Sequence, residues 1–146
     1  MVPVSHPEAR TLLVLFVPSV DRDSRPIDQG AWQRRALDHL GTRFGGATAY
    51  PKADGVWLDS ERLDAMRRAT PGTRATAALV RDEPIIVQCW ARDVDLANDT
   101  RIDELRRLCR AMGWHTQQGA VALVVGAEFH LLDEFSPDDA WEEDAS

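Results

Sequence analysis

Apolar residues run unbroken from Leu12 to Val17 and are closed by Pro18, which predicts a central strand buried on at least one face. A polar loop, Ser19 to Pro26, follows. Trp32, Ala36, Leu40 and Phe44 then recur at four-residue spacing with Leu37 beside them, while Gln33, Arg34, Asp38 and Arg43 take the other side. This predicts a helix over residues 28–44 with one buried stripe, capped by Asp28 and ended by Gly45 and Gly46. Pro84 opens a second apolar run, Ile85 to Ala91, rich in β-branched and aromatic residues and therefore a strand. Ile102, Leu105, Leu108, Cys109 and Met112 form the stripe of a second helix, capped by Asp99 or Thr100 and stopped by Gly113. Ala120 to Val125 and Glu128 to Leu132 read as a hairpin across Gly126-Ala127, with the glycine suited to the first central position of a type II′ turn.

The strand, helix, strand pattern thus occurs twice, over residues 11–50 and 84–132. Between the copies, Ala47 to Tyr50 and Val56 to Leu58 are strand pieces separated by a turn or bulge at Pro51 to Gly55. Ala77 to Val80 pairs back onto Val56 to Leu58, which makes Ser60 to Arg74 an insertion at the hairpin tip, with a short helix carrying Leu63 and Met66. Two such units predict an α+β, β-α-β-β-α-β sandwich: one mainly antiparallel sheet, both long helices on one face, and a C-terminal hairpin. The chain divides into a lead-in over residues 1–10, a single domain over 11–132 with its insertion at about 59–76, and an acidic tail over 133–146.

Charge sharpens that division. The formal net charge of −7 lies in the C-terminal part: from Glu128 onward there are eight acidic residues and no Lys or Arg, so the body is near neutral. The tail, where Glu142, Glu143 and Asp144 follow Trp141, is expected to be a solvated segment or a docking arm for a basic protein partner. An acidic chain of this kind repels phosphate, and nucleic acid is not an expected partner. No apolar run is long enough to cross a bilayer and no secretory signal is recognisable, so the expected location is the cytoplasm, with no membrane partner. Cys89 and Cys109 lack metal-like spacing and read as reduced core residues.

Candidate chemistry is sparse. A Gly-rich phosphate loop, a zinc-binding helix and a nucleophile elbow are all absent from the sequence. Asp21 and Asp23, after the first strand, could hold a divalent metal with Asp82 or Glu83, or could form a polar turn. His115, beside Trp114, is a candidate general base or a surface histidine at a helix exit. Trp32 is expected in the core, while Trp57 and Trp90 divide between the core and an open sheet face, where Trp90 would be a contact for a partner. A pocket on that face would be walled by Thr48, Tyr50, Trp57, His115 and Gln118, a set rich in hydrogen bonding and poor in strong acid or base. Neither a cofactor nor a resident metal is expected from these residues.

Leu15-Phe16-Val17-Pro18, the Trp32 helix, Phe44-Gly45-Gly46-Ala47-Thr48, Gly55-Val56-Trp57, Pro84 before a strand and Gln118-Gly119 before the last hairpin resemble a family of short bacterial proteins of unknown function. The resemblance spans residues 11–132 and implies a ferredoxin-like fold with no established activity. The chain departs from it by the Ser60 to Arg74 insertion, and by Ala120 where the family pattern has an acidic residue. The leading functional expectation is a non-enzymatic, dimerising module that binds a protein partner as an accessory of a larger system. The alternatives are a small-molecule binder or enzyme using a sheet-face pocket, and a metal-dependent nuclease built on Asp21 or Asp23.

Overall fold

The computed structural model describes residues 8–142. Seven strands and four α-helices follow one another as β1 (Arg10–Val17), α1 (Gln29–Phe44), β2 (Thr48–Ala49), β3 (Gly55–Leu58), α2 (Ser60–Ala69), β4 (Leu79–Asp82), β5 (Ile85–Arg92), α3 (Asp93–Leu96), α4 (Asp99–His115), β6 (Ala120–Val125) and β7 (Glu128–Asp133). Five strands form one sheet in the order β2-β5-β1-β6-β7, and every adjacent pair is antiparallel. β3 and β4 pair separately as a two-stranded ribbon, with α2 at its tip. The chain is therefore α+β with a mainly antiparallel sheet.

Register explains the core. Leu15 lies opposite Val87 on one side and Leu123 on the other, and Leu13 opposite Cys89 and Val125. Side chains alternate along a strand, so Leu13, Leu15 and Val17 share a face with Val87, Cys89, Ala91, Val121 and Leu123. Against that face pack Trp32, Ala36, Leu40 and Phe44 of α1 and Leu105, Leu108, Cys109 and Met112 of α4, in one buried cluster. Both long helices lie on the same side. The Asp28 carboxylate accepts from the Ala31 N–H at 3.1 Å, and Gly45 adopts φ 92° with its N–H bonded to the Gly41 carbonyl, so α1 has the predicted ends. Burial raises the Cys89 thiol to about 11 and that of Cys109 to about 12, so both behave as core hydrophobes. Gly126 takes φ 61° at the β6–β7 turn, as a type II′ geometry requires.

Two expectations need correction. Asn98, not Asp99 or Thr100, caps α4, its side-chain oxygen accepting from the Thr100 N–H at 3.0 Å. Nor does Gly113 stop that helix, which continues to His115. The glycine instead makes room: a Cβ on it would lie 2.3 Å from the Phe135 ring.

That contact also corrects the picture of a solvated tail, as far as Glu142. Phe135 and Trp141 are half-buried against the core cluster. Ser136 and Asp139 close a 3₁₀ turn, in which the Ser136 N–H donates to the Asp139 carboxylate at 2.8 Å. The Trp141 N–H donates to Nε2 of His115 at 2.9 Å. Two aromatic side chains fasten a segment whose charges alone would leave it in water. Glu142 is exposed, and Glu143 and Asp144 lie outside the described residues.

Candidate functional site

The strand positions that do not face the helices form an open face. Leu12, Val14 and Phe16 of β1 stand beside Trp90, Gln88 and Ile86 of β5, and Val14 also beside Val124, which is opposite Phe129. Trp90, Phe129 and Leu131 are 53%, 66% and 57% exposed, values that core residues of the other face never approach. No helix covers these side chains among the described residues. At one end of this face the β3–β4 ribbon borders it, with Val56 and Trp57 sharing a pocket with Phe16, Ile86, Phe129 and Leu131.

Under that ribbon lies a pocket of about 450 Å³. Its floor is Phe16, Ile86 and Ala122, and its walls are Trp57 and Val56 of β3, Pro84, and Leu131 of β7. Its polar groups are few and peripheral: Asp54, Asp82 and the Gln118 amide. This is the composition of a small-molecule site, apolar with a few polar groups that fix orientation. Toward the centre of the sheet, Gln88 donates through Nε2 to the Tyr50 hydroxyl at 2.7 Å.

The five side chains expected to wall a pocket are only partly gathered. Trp57 and Gln118 line it, whereas Tyr50 does not, its hydroxyl accepting from Gln88 outside the pocket. The Gln118 amide is anchored, its nitrogen donating to the carbonyls of Val20 at 2.7 Å and Thr116 at 3.2 Å. Thr48 lines a neighbouring cleft instead. His115 is elsewhere, because α4 runs past Gly113 and carries it to the helix side: its ring centroid is 5.7 Å from that of buried Trp32, and its Nε2 is occupied by the Trp141 N–H. Trp90 is on the open face and Trp32 in the core.

The metal reading fails on geometry. Asp21 spends one carboxylate oxygen on the N–H groups of Asp23 and Arg25, at 2.8 and 2.9 Å, which is a local turn cap. Asp82 accepts from both the backbone N–H and the hydroxyl of Ser19, which in turn accepts from the Glu83 N–H. Among the described residues, no three His, Cys, Asp or Glu side chains gather as a metal site would need. The carboxylates after β1 tie the loop down.

Sequence reasoning missed Gln88, Phe16, Ile86, Phe129 and Leu131. The signal was there in β5, where Ile86, Gln88 and Trp90 alternate with the more buried Val87, Cys89 and Ala91, but the run reads as uniformly apolar unless its parity is followed.

No family model and no curated protein matches this chain. Two solved structures do. A phage SAM lyase in complex with S-methyl-5′-thioadenosine aligns with a TM-score of 0.61 at 8% identity, over 92% of this chain and 97% of that one. A phage SAM lyase in its apo state aligns with a TM-score of 0.51 at 13% identity, over 91% and 92% of the two chains. At these identities the likeness is one of fold. It nonetheless overturns the leading expectation from sequence, a non-enzymatic module: along nearly its whole length this scaffold is one that an enzyme uses.

Proposed function

We propose that the chain is an enzyme acting on a small sulfonium nucleoside of the S-adenosylmethionine class, held in the sheet-face pocket under the β3–β4 ribbon. One observation carries this reading: a mainly apolar cavity of about 450 Å³, walled by an indole, on a scaffold it shares with a lyase seen with a thioadenosine. The strand order, two β-α-β units interleaved about β1 and β5, supports the finer assignment to the ferredoxin-like fold.

The lack of a strong acid or base, read from sequence as a sign of binding without turnover, suits this chemistry. A sulfonium carries its own leaving group. As the carbon–sulfur bond breaks, its electron pair goes to sulfur and a neutral thioether departs, while a carboxylate oxygen of the substrate itself bonds to the released carbon and closes a lactone, so no protein acid need protonate the leaving group and no protein base need remove a proton. What helps is a dry surface: transfer from water destabilises the cationic sulfonium more than the neutral thioether that forms from it. Trp57, Phe16, Ile86 and Leu131 supply that surface, and the indole face adds attraction for the cation at the mouth. Asp54, exposed at the rim, is the carboxylate left to meet the substrate's positive charge, since Asp82 is held by Ser19. A second copy of the chain seated over Phe129 and Leu131 would enclose the pocket further, in keeping with the expected homo-oligomer.

Incubation with S-adenosylmethionine, with S-methyl-5′-thioadenosine followed by mass spectrometry, tests the proposal. Release of the thioether is expected, reduced on the order of tenfold or more by Trp57→Ala and by Asp54→Asn. Absence of both the product and any binding of S-methyl-5′-thioadenosine overturns it.

A further inference from the structure

A second cavity, sharing no lining residue with the first, opens at the other end of the sheet. β2 is only two residues long and pairs with β5 only at Gln88 and Val87, so beyond Thr48 the edge of β5 is uncovered down to Arg92. The space left there is an open cleft of about 830 Å³. Four elements each send an arginine to it: Arg10 from β1, Arg43 from α1, Arg92 from β5 and Arg101 from α4. Only one carboxylate, Asp95, is among its walls.

Like charges drawn together from distant parts of a chain repel, and a near-neutral body has no general need to collect them. Their present partners hold them loosely. Arg10 pairs with Glu8 at 2.8 Å, Arg43 with Glu104 at 2.7 Å and Arg92 with Asp95 at 3.3 Å, and all three arginine side chains are 41% to 50% exposed. Surface pairs of this sort contribute little and exchange readily. Arg101 donates to the Arg43 carbonyl, which offsets the negative end of α1 at that point. At the mouth stands the half-exposed Trp90 indole, with the Thr48 hydroxyl and the Gln88 amide beside it.

From this convergence we infer that the cleft binds the phosphate groups of a nucleotide, with the base laid against Trp90. Guanidinium forks match phosphate oxygens in a bidentate way that an ammonium does not, and an excess of sixteen arginines over a single lysine would not by itself place four at one cleft. A flat indole beside such a charge cluster offers a stacking surface that any base can use. The volume suits a nucleotide. The assignment is independent of the sulfonium reading, since it uses different residues and a ligand of opposite charge.

Calorimetric titration at low salt with adenosine triphosphate, adenosine, tripolyphosphate and single-stranded oligoadenylate tests it. Adenosine triphosphate is expected to bind, with an affinity that falls as salt rises. Arg92→Gln and Arg101→Gln are each expected to weaken it about tenfold and to lower the salt slope by about one, while Arg68→Gln, on the distant α2, leaves both unchanged. Trp90→Ala should weaken adenosine triphosphate but not tripolyphosphate. Oligoadenylate binding about as tightly as the mononucleotide assigns a free nucleotide, and binding far tighter assigns the same phosphate site to a strand. Loss of sulfonium cleavage in Trp57→Ala with nucleotide binding intact separates the two sites. The inference is overturned if no phosphate compound binds at millimolar concentration, or if Arg92→Gln and Arg101→Gln, with native circular dichroism, bind as the parent does.

Discussion

The two faces of the main sheet are built from alternate residues of the same strands, yet they obey different rules. On the helix side the positions are aliphatic and closely packed, with Leu15, Val87 and Leu123 showing 1% exposure or less. The open side carries the larger and chemically richer residues: Phe16, Gln88, Trp90, Phe129 and, from the chain leading out of β2, Tyr50. Close packing and exposed polar and aromatic chemistry are divided between two sides of one sheet. A strand read as a single apolar run therefore contains two messages, one about the core and one about the face left open.

The contrast is easiest to break in the packed face. Leu15→Ala or Leu123→Ala is expected to cost about 2–5 kcal/mol, since each leaves a void between sheet and helices. Phe129→Ala, though it deletes more atoms, should cost less than about 1 kcal/mol, because two-thirds of that ring is already in water. Chemical denaturation of the protein in its own oligomeric state compares them, and equal losses would mean that the open face is buried in the working assembly.

Next in size is the junction between α4 and the C-terminal segment. Gly113→Ala adds a methyl where the Phe135 ring lies, and the expected loss is about 1–3 kcal/mol in spite of alanine's better helix propensity. Deletion from Ser136 should lower the melting temperature as well, by removing the Trp141 contact. An unchanged melting temperature in the deletion would return this segment to the role of a detached arm.

Smaller still is an effect of pH. Burial, helped by the nearby Arg43 charge, holds His39 below the usual histidine range, and its Nε2 is a buried ring nitrogen with no hydrogen-bond partner among the described residues. The unfolded chain thus binds a proton more readily than the folded one, so stability should fall as pH drops below about 6.5. His39→Leu should flatten that part of the melting-temperature profile. Asp28→Ala is expected to cost about 1 kcal/mol for the lost α1 cap, readable in the same melts.

How much of this was legible in the sequence follows from the distance over which each feature is encoded. The Trp32 stripe, the Asp28 cap and the Gly126 turn are written in neighbouring residues, and each appears in the structure, whereas the return onto β3 is shifted from the expected 77–80 to 79–82, because Ala75–Ala78 wind into a 3₁₀ turn. The docking of Phe135 is not, because Gly113 carries the ordinary signature of a helix stop, and the ring that explains it comes from beyond β7. Gln88 and Tyr50 meet only because β5 runs beside the chain leaving β2. The pocket under the ribbon was half legible, through Trp57 and Gln118. The arginine cleft was not, since its four members belong to four elements and none is unusual alone.

One consequence of the strand order concerns time. β1 is the middle strand of the sheet, and both of its partners, β5 and β6, lie far along the chain. Closing those long loops costs entropy before any pairing rewards it, whereas the β3–β4 ribbon and the β6–β7 hairpin can form locally. The strand that comes first among the seven is thus completed late, and until then its run from Leu12 to Val17 has two bare, apolar edges. Aggregation of the refolding chain, rather than of the native protein, is the hazard this order creates, and slow dilution at low concentration is the condition that should relieve it.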